Sequence, residues 1–239
     1  MRRSILRVRA CLLSTVLWTL ACAPAITADR KPEREAGELK IILAGKEIGT
    51  ERFEIIALGD KVVANSQVEL RHAAAGRQTV RLETRLEMTA TLVPTSYELK
   101  TDVDGRKGTI KGSFAPNQVI FEYVGAGAPR REGLLTGEQY TLLDTNVFHH
   151  FAFLARLVKY DGSGKQQRFE VVVPQETVSG RLTITQAGRE PLQINGRKKP
   201  LHRLHVDSGA LQIDMWVGER SEIQRITVPS KRIEIVRVN

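Results

Sequence analysis

The sequence predicts a mostly β protein: a strongly curved antiparallel meander or incompletely closed β-barrel, with one helix packed in or over its hollow. Three observations carry that reading. From Gln78 to Leu92 apolar and polar residues alternate without a break, so one face of a long strand is dry and the other wet. Turn signals recur about every 8–12 residues, with no second helix long enough for a βαβ crossover. The one helical stretch, Asp144 to Tyr160, is apolar over most of its circumference and must be covered on more than one side.

Taken in order, residues 1–28 read as a secretory signal peptide. Arg2, Arg3, Arg7 and Arg9 precede the apolar run Ala10 to Ala21, too short to span a bilayer, and Ala23-Pro24-Ala25 or Ala28 suits a signal peptidase. Arg2-Arg3-Ser4-Ile5-Leu6-Arg7 approximates a twin-arginine signal, and Thr19-Leu20-Ala21-Cys22 approximates an acylation box. The expected location is therefore the periplasm or cell envelope, with lipid anchoring through Cys22 as the alternative to simple export. The chain carries +9; the leader holds four arginines and no acid, leaving 9 − 4 = +5, which favours solubility and is no argument for nucleic acid. Cys11 and Cys22 both fall in the leader, so the mature chain is expected to have no disulfide, no thiolate metal ligand and no transmembrane span.

Residues 29–36 are charged, include Pro32 and read as a short tether; residues 37–239 read as a single antiparallel β domain. Strands are expected from Leu39, with a turn at Gly45-Lys46, a bulge at Gly49, and further turns at Gly59-Asp60, Asp104-Gly105 and Pro116-Asn117. The alternation from Gln78 to Leu92 is well beyond a usual strand of about 5–6 residues, as curved sheets and barrels require. Val124 to Gly137 reads as a flexible connection. After the helix, strands resume through Phe169, Leu182, Leu192, Leu204, Leu211 and Ile226 to Val238, about eleven to thirteen in all by this spacing. The two runs of strands show no repeat.

Asp144 is the expected helix N-cap, Asp161-Gly162-Ser163-Gly164 the stop, and Arg156 and Lys159 suit the negative end of the dipole. Val147, Phe148, Phe151, Leu154, Ala155 and Val158 share one face; His149, Phe153 and Tyr160 lie opposite and are the candidate rim of a ligand cavity. His149 and His150 point about 100° apart and position 153 is Phe, so they do not make the i, i+4 pair of a helical metal site. His202 and His205 fall on opposite faces of a strand, as do Glu51 and Glu54. Arg197-Lys198-Lys199 reads as a basic turn, able to meet phosphate head groups or acidic glycans but lacking the aromatics of a nucleic-acid platform. Trp216 lies on the face away from Ile213 and Met215. Gly162-Ser163-Gly164 is not a nucleophile elbow and Gly125-Ala126-Gly127-Ala128 is not a phosphate loop. No metal, cofactor or catalytic residue is expected.

The C-terminal LQIDMWVGERSEIQRITVPSKRIEIVRV, with the early GELKIILAGKEIGTERFEI and the central DTNVFHHFAFLAR, resembles an uncharacterised family of secreted bacterial envelope proteins over most of residues 37–239. In architecture these are similar to the lipoprotein-carrier type, a half-open barrel over an apolar hollow, though that type has several lid helices and this sequence shows one. What the resemblance implies is carriage of an apolar, lipid-like ligand, with a lipid, lipoprotein or envelope protein as partner. The alternative is a structural or interaction module with a filled core; a hydrolase stands last.

Overall fold

The alternation read between Gln78 and Leu92 is realised as a strand, Gln78–Thr89, in which Leu82, Thr84, Leu86 and Met88 are buried while Arg81, Glu83 and Arg85 face water. It ends at Thr89 because a bulge sets Met88 against Pro94 and a turn carries Leu92 to a φ of 64°. The computed structural model describes residues 33–72, 78–162, 164–194 and 196–238. The signal-peptide expectation, including Cys22, lies outside them.

The first run of strands is β1 (Glu33–Leu43), β2 (Lys46–Leu58), β3 (Lys61–His72), β4 (Gln78–Thr89), β5 (Pro94–Val103), β6 (Arg106–Ala115), β7 (Gln118–Val124) and β8 (Arg130–Leu135). A two-residue β9 (Thr141–Leu142) leads through a turn to the helix α1 (Phe151–Leu157). The second run is β10 (Gln166–Val173), β11 (Val178–Ile194), β12 (Arg197–Asp207), β13 (Gln212–Val217), β14 (Ile223–Val228) and β15 (Ile233–Arg237). All fifteen strands form one sheet in the order β8 down to β1, then β15 down to β9. Every pairing is antiparallel except that of β9 with β10.

The two runs meet where β1 pairs with β15, Ile41 opposite Ile235, both buried. The other ends, β8 and β9, do not pair with each other, so the backbone ladder of the curved sheet stays open, as the sequence predicted. Inward residues of both runs form one core, into which α1 inserts Ala152, Phe153, Leu154 and Ala155. Outward residues of β2 to β5 are charged or polar: Arg52 and Glu54, Gln67 and Glu69, Glu83 and Arg85, Glu98 and Lys100. An apolar inside and a charged outside are the reverse of a lipid-spanning barrel.

Several expectations are corrected. The helix spans Phe151–Leu157, not 144–160. Its flanks are held by tertiary bonds instead: Asn146 sits at a φ of 63°, and Gln167 bonds both the N–H and the C=O of Lys159, drawing that peptide out of the helix. Asp144 is no N-cap; α1 begins at His150 without a side-chain cap. The proposed tether overlaps β1, whose Glu33 to Ala36 pair with Ala57 to Glu54. Arg130–Leu135 is a strand rather than a connection, and its charges suit a sheet edge. Arg197, Lys198 and Lys199 belong to β12, paired with Ile194, Gln193 and Leu192. The bulge near Gly49 lies one residue away, at Ile48. Gly49 itself is required by closeness: a Cβ there would stand 2.1 Å from the Glu69 carbonyl oxygen.

Candidate functional site

One cluster of buried titratable side chains, Glu51, Asp144, His149 and His150 with Tyr97, stands out in the interior. The alternation of β2 turns Phe53 and Ile55 inward, and Glu51 shares their parity, so its carboxylate enters the core fully buried. There Oε2 accepts from the backbone N–H groups of Phe148 (2.7 Å) and His149 (3.1 Å), and Oε1 accepts from His149 Nδ1 (2.7 Å). An acid 97 residues earlier in the chain thus does what Asp144 was expected to do, holding free amides ahead of α1. Phe53 stacks on His149 with centroids 5.8 Å apart, and Phe153 meets it edge-on at 6.1 Å.

Asp144 anchors the other end. Its Oδ2 accepts from the Tyr97 hydroxyl at 2.5 Å, while Oδ1 accepts from the amides of Thr145 and Gln175. Burial raises the Asp144 carboxyl above its ordinary range, opposed by these hydrogen bonds. Burial, with Asp144 beside it, pushes the Tyr97 hydroxyl well above its usual value. His150 lies between the two ends, fully buried, with Nδ1 3.4 Å from the Asp144 amide. Burial, and secondarily His149, drives the His150 imidazole well below its ordinary range, so it is neutral.

These contacts place a proton on the Nδ1 of His149, toward Glu51. His150, neutral, accepts on Nδ1 and so carries its proton on Nε2. Neither Nε2 has a protein hydrogen-bond partner, and the rings lie 4.5 Å apart. Among the described residues no group of three or more His, Cys, Asp or Glu could hold a metal. Sealed from solvent, the cluster can hold the segment Asp144–Phe153 between β2 and β5, but it presents no proton or nucleophile to a substrate.

The structure brings together two of the three proposed ligand-rim residues. His149 and Phe153 are in contact and fully buried. Tyr160 lies apart, half-buried against His202 at 4.7 Å, its hydroxyl donating to the Ala155 carbonyl at the end of α1. None of the three lines the three hollows that follow. One, about 490 Å³, is a groove among the outer-face charges Arg34, Arg52, Glu54, Glu83, Arg85 and Lys100. A second, about 370 Å³, opens where Glu35 bridges Arg156 and Arg237. A third, also about 370 Å³, has the mixed lining Leu92, Val93, Tyr140, Leu157 and Phe169 with Lys159, Gln167 and Glu170. His202 and His205 do face opposite ways, toward Tyr160 and Asp214, and Glu54 points outward to Arg34 while Glu51 points in. Trp216 packs on the outer face with Ile194 and Leu201. Glu51 and Tyr97 are the members of the cluster that sequence reasoning missed. An acid in register with two inward apolar residues was the available signal.

Neither a protein-family model nor a curated protein sequence matches the chain. Among solved structures it is similar to a β-barrel-like protein of the domain of unknown function DUF1849 from Brucella abortus. The TM-score is 0.60 and the identity 12%, over 86% of this chain and 94% of that one. A DUF1089 family protein from Pseudomonas aeruginosa aligns over 87% of this chain and 95% of its own at 12% identity, with a TM-score of 0.48. The first likeness is one of fold: a barrel-like sheet shared with a protein of unknown function.

Proposed function

We propose that the chain is an exported, non-catalytic protein of the bacterial envelope that works by binding at its surface, its hollow being occupied by its own helix. One observation carries this reading: Ala152, Phe153, Leu154 and Ala155 are at most 1% exposed, so α1 supplies the interior filling that a ligand would supply in a carrier. Two further facts support it. The titratable side chains that converge are used to hold the segment before α1, and the outer face is built for water. Export rests on the basic n-region, apolar run and small-residue exit of residues 1–28. Native mass spectrometry of the folded chain, with solvent extraction, tests the filled interior. The expected result is the polypeptide mass alone and no uptake of a fluorescent fatty acid; a stoichiometric co-purifying lipid would sink it.

A second reading has its own observation. The hollow beside Leu92, Val93, Tyr140, Leu157 and Phe169 offers apolar walls with a polar rim at Lys159 and Gln167, the pattern of a site for a lipid-like tail. In that case Leu157→Trp abolishes fatty-acid uptake while leaving the melting temperature nearly unchanged. Uptake that persists in the variant places the ligand elsewhere.

A further inference from the structure

The β11–β12 hairpin outruns the sheet. β10 stops pairing with β11 at Thr185, and β13 stops pairing with β12 at His202, yet β11 and β12 go on pairing from Arg189 opposite His202 to Ile194 opposite Arg197. Residues beyond that point form a two-stranded arm. A bulge at Ala187, with Gly188 at a φ of 103°, marks its root, where a bend costs little. The arm lies over the outer face rather than projecting freely: Ile194 and Leu201 bury Trp216, which also donates its indole N–H to Glu190 at 3.1 Å. Arg203 and Arg225 cover the ring from neighbouring strands, and Arg189 pairs with Glu219. The root is therefore pinned by apolar contact, a hydrogen bond and an ion pair.

Its tip is different. Arg197, Lys198 and Lys199 are consecutive and exposed, and among the described residues no hydrogen bond or salt bridge engages their side chains, whereas Arg203 farther along β12 and Arg225 on β14 are each matched to a carboxylate. Alternation along β12 turns Arg197 and Lys199 one way and Lys198 the other, so the tip is basic on both sides. Position adds direction. Following the antiparallel pairings from β1 through β15, β14 and β13 to β12, strands β1 and β12 run the same way, so Glu33 and Arg197 stand at the same end of the sheet. The sequence leading into β1 carries the apolar run Ala10 to Ala21 and Cys22. Lipid anchoring through Cys22, the alternative read from the sequence, would tether the chain through the residues that precede β1 and so by this end of the sheet.

We infer that the β11–β12 arm is a membrane-surface contact in which Arg197, Lys198 and Lys199 meet the anionic head groups of a bilayer. The proposal goes beyond the filled hollow and does not depend on it. Each Lys or Arg near an anionic surface strengthens partitioning roughly fivefold, so three give roughly a hundredfold. The test is co-sedimentation of the full chain with phosphatidylcholine vesicles, with and without about a third phosphatidylserine. Binding should favour the anionic vesicles by about a hundredfold and weaken as added salt shortens the screening length from ~30 to ~8 Å. Arg197→Gln, Lys198→Gln and Lys199→Gln together should remove that preference. Neutralising as many cations at Arg106, Lys107 and Lys111 should change binding by no more than about twofold. If the triple variant melts early, Lys198→Glu alone is measured, with a loss of at least about fivefold expected. Equal binding to both vesicles, an unchanged triple variant, or equal loss in the control overturns the proposal. So does binding to heparin fragments without binding to vesicles, which would assign the tip to an acidic glycan.

Discussion

The two runs of strands are joined twice, and the junctions are built differently. At β1 and β15 the join is a backbone ladder, Leu39 opposite Arg237 through Leu43 opposite Ile233, with Leu39, Ile41 and Ile235 buried beneath it. At the other side no ladder links β8 to β9, and the seam is closed by side chains. Tyr97 reaches Asp144, the Tyr123 hydroxyl donates to the Pro174 carbonyl at 2.8 Å, and the Gly137 amide donates to Glu170. A ladder is fixed by the backbone and survives most single substitutions, whereas each seam bond belongs to one side chain and disappears with it. The segment carrying α1 starts at the seam and is held from the far side by Glu51 of β2. That carboxylate is thus the tie between the weaker junction and the stronger half of the sheet.

The largest expected effect is that of Glu51→Ala, which strips three N–H groups, two of them buried, of their acceptor and should cost about 3–5 kcal/mol. Urea unfolding measures it, and a loss under about 1 kcal/mol would mean that Glu51 ties nothing together. Ile235→Ala opens a cavity under the ladder and should cost about 2–5 kcal/mol, with amide protection falling on both sides of β1 and β15. Acidification should act on the seam segment first. His150 is held below its ordinary pKa in the fold, so the unfolded chain takes up the proton first as pH falls below about 6.5. Its neutral-form stabilisation is present above that pH and is lost as pH falls toward the folded pKa, by at most about 1.4 kcal/mol per pH unit. Asp144, raised in the fold, works with the opposite sign at lower pH, where protonation relieves its buried charge. Melting temperature against pH for wild type and His150→Phe separates the two, and parallel curves would remove His150 from the account. The smallest effect is that of Tyr123→Phe, about 1 kcal/mol, confined in hydrogen exchange to β7 and the Pro174–Glu176 turn. If it matched Ile235→Ala in cost and reach, the contrast between the junctions would fail.

What was legible in the sequence followed from local rules. The inward set Leu82, Thr84, Leu86 and Met88 was read from parity alone, and the type of fold followed from the spacing of turns. Edge strand β8 was not legible because Arg130, Arg131 and Glu132 carry the charges that protect an edge and so hide the alternation. The helix was read too long because apolar periodicity continues through Val147 and Val158, while the bonds that end it come from Glu51 and Gln167. Of the proposed rim, His149 and Phe153 were placed together correctly; Tyr160 was not, since Val158 leaves the helical path before it. Glu51 was weighed only against Glu54, and its true partner lies 98 residues away, a distance at which no periodicity reports.

The ladder between β1 and β15 also sets a timetable. Nearly every other pairing joins strands adjacent in the chain and can form by short loop closure, but Leu39 finds Arg237 only after about 200 residues have been brought round. Refolding should therefore show two hairpin-built halves that gain protection early, followed by a slower phase in which the first and last strands zip together. A duplicate of either edge arriving during that interval would be a competent substitute, so exchange of β15 between copies is the misassembly this topology invites at high concentration.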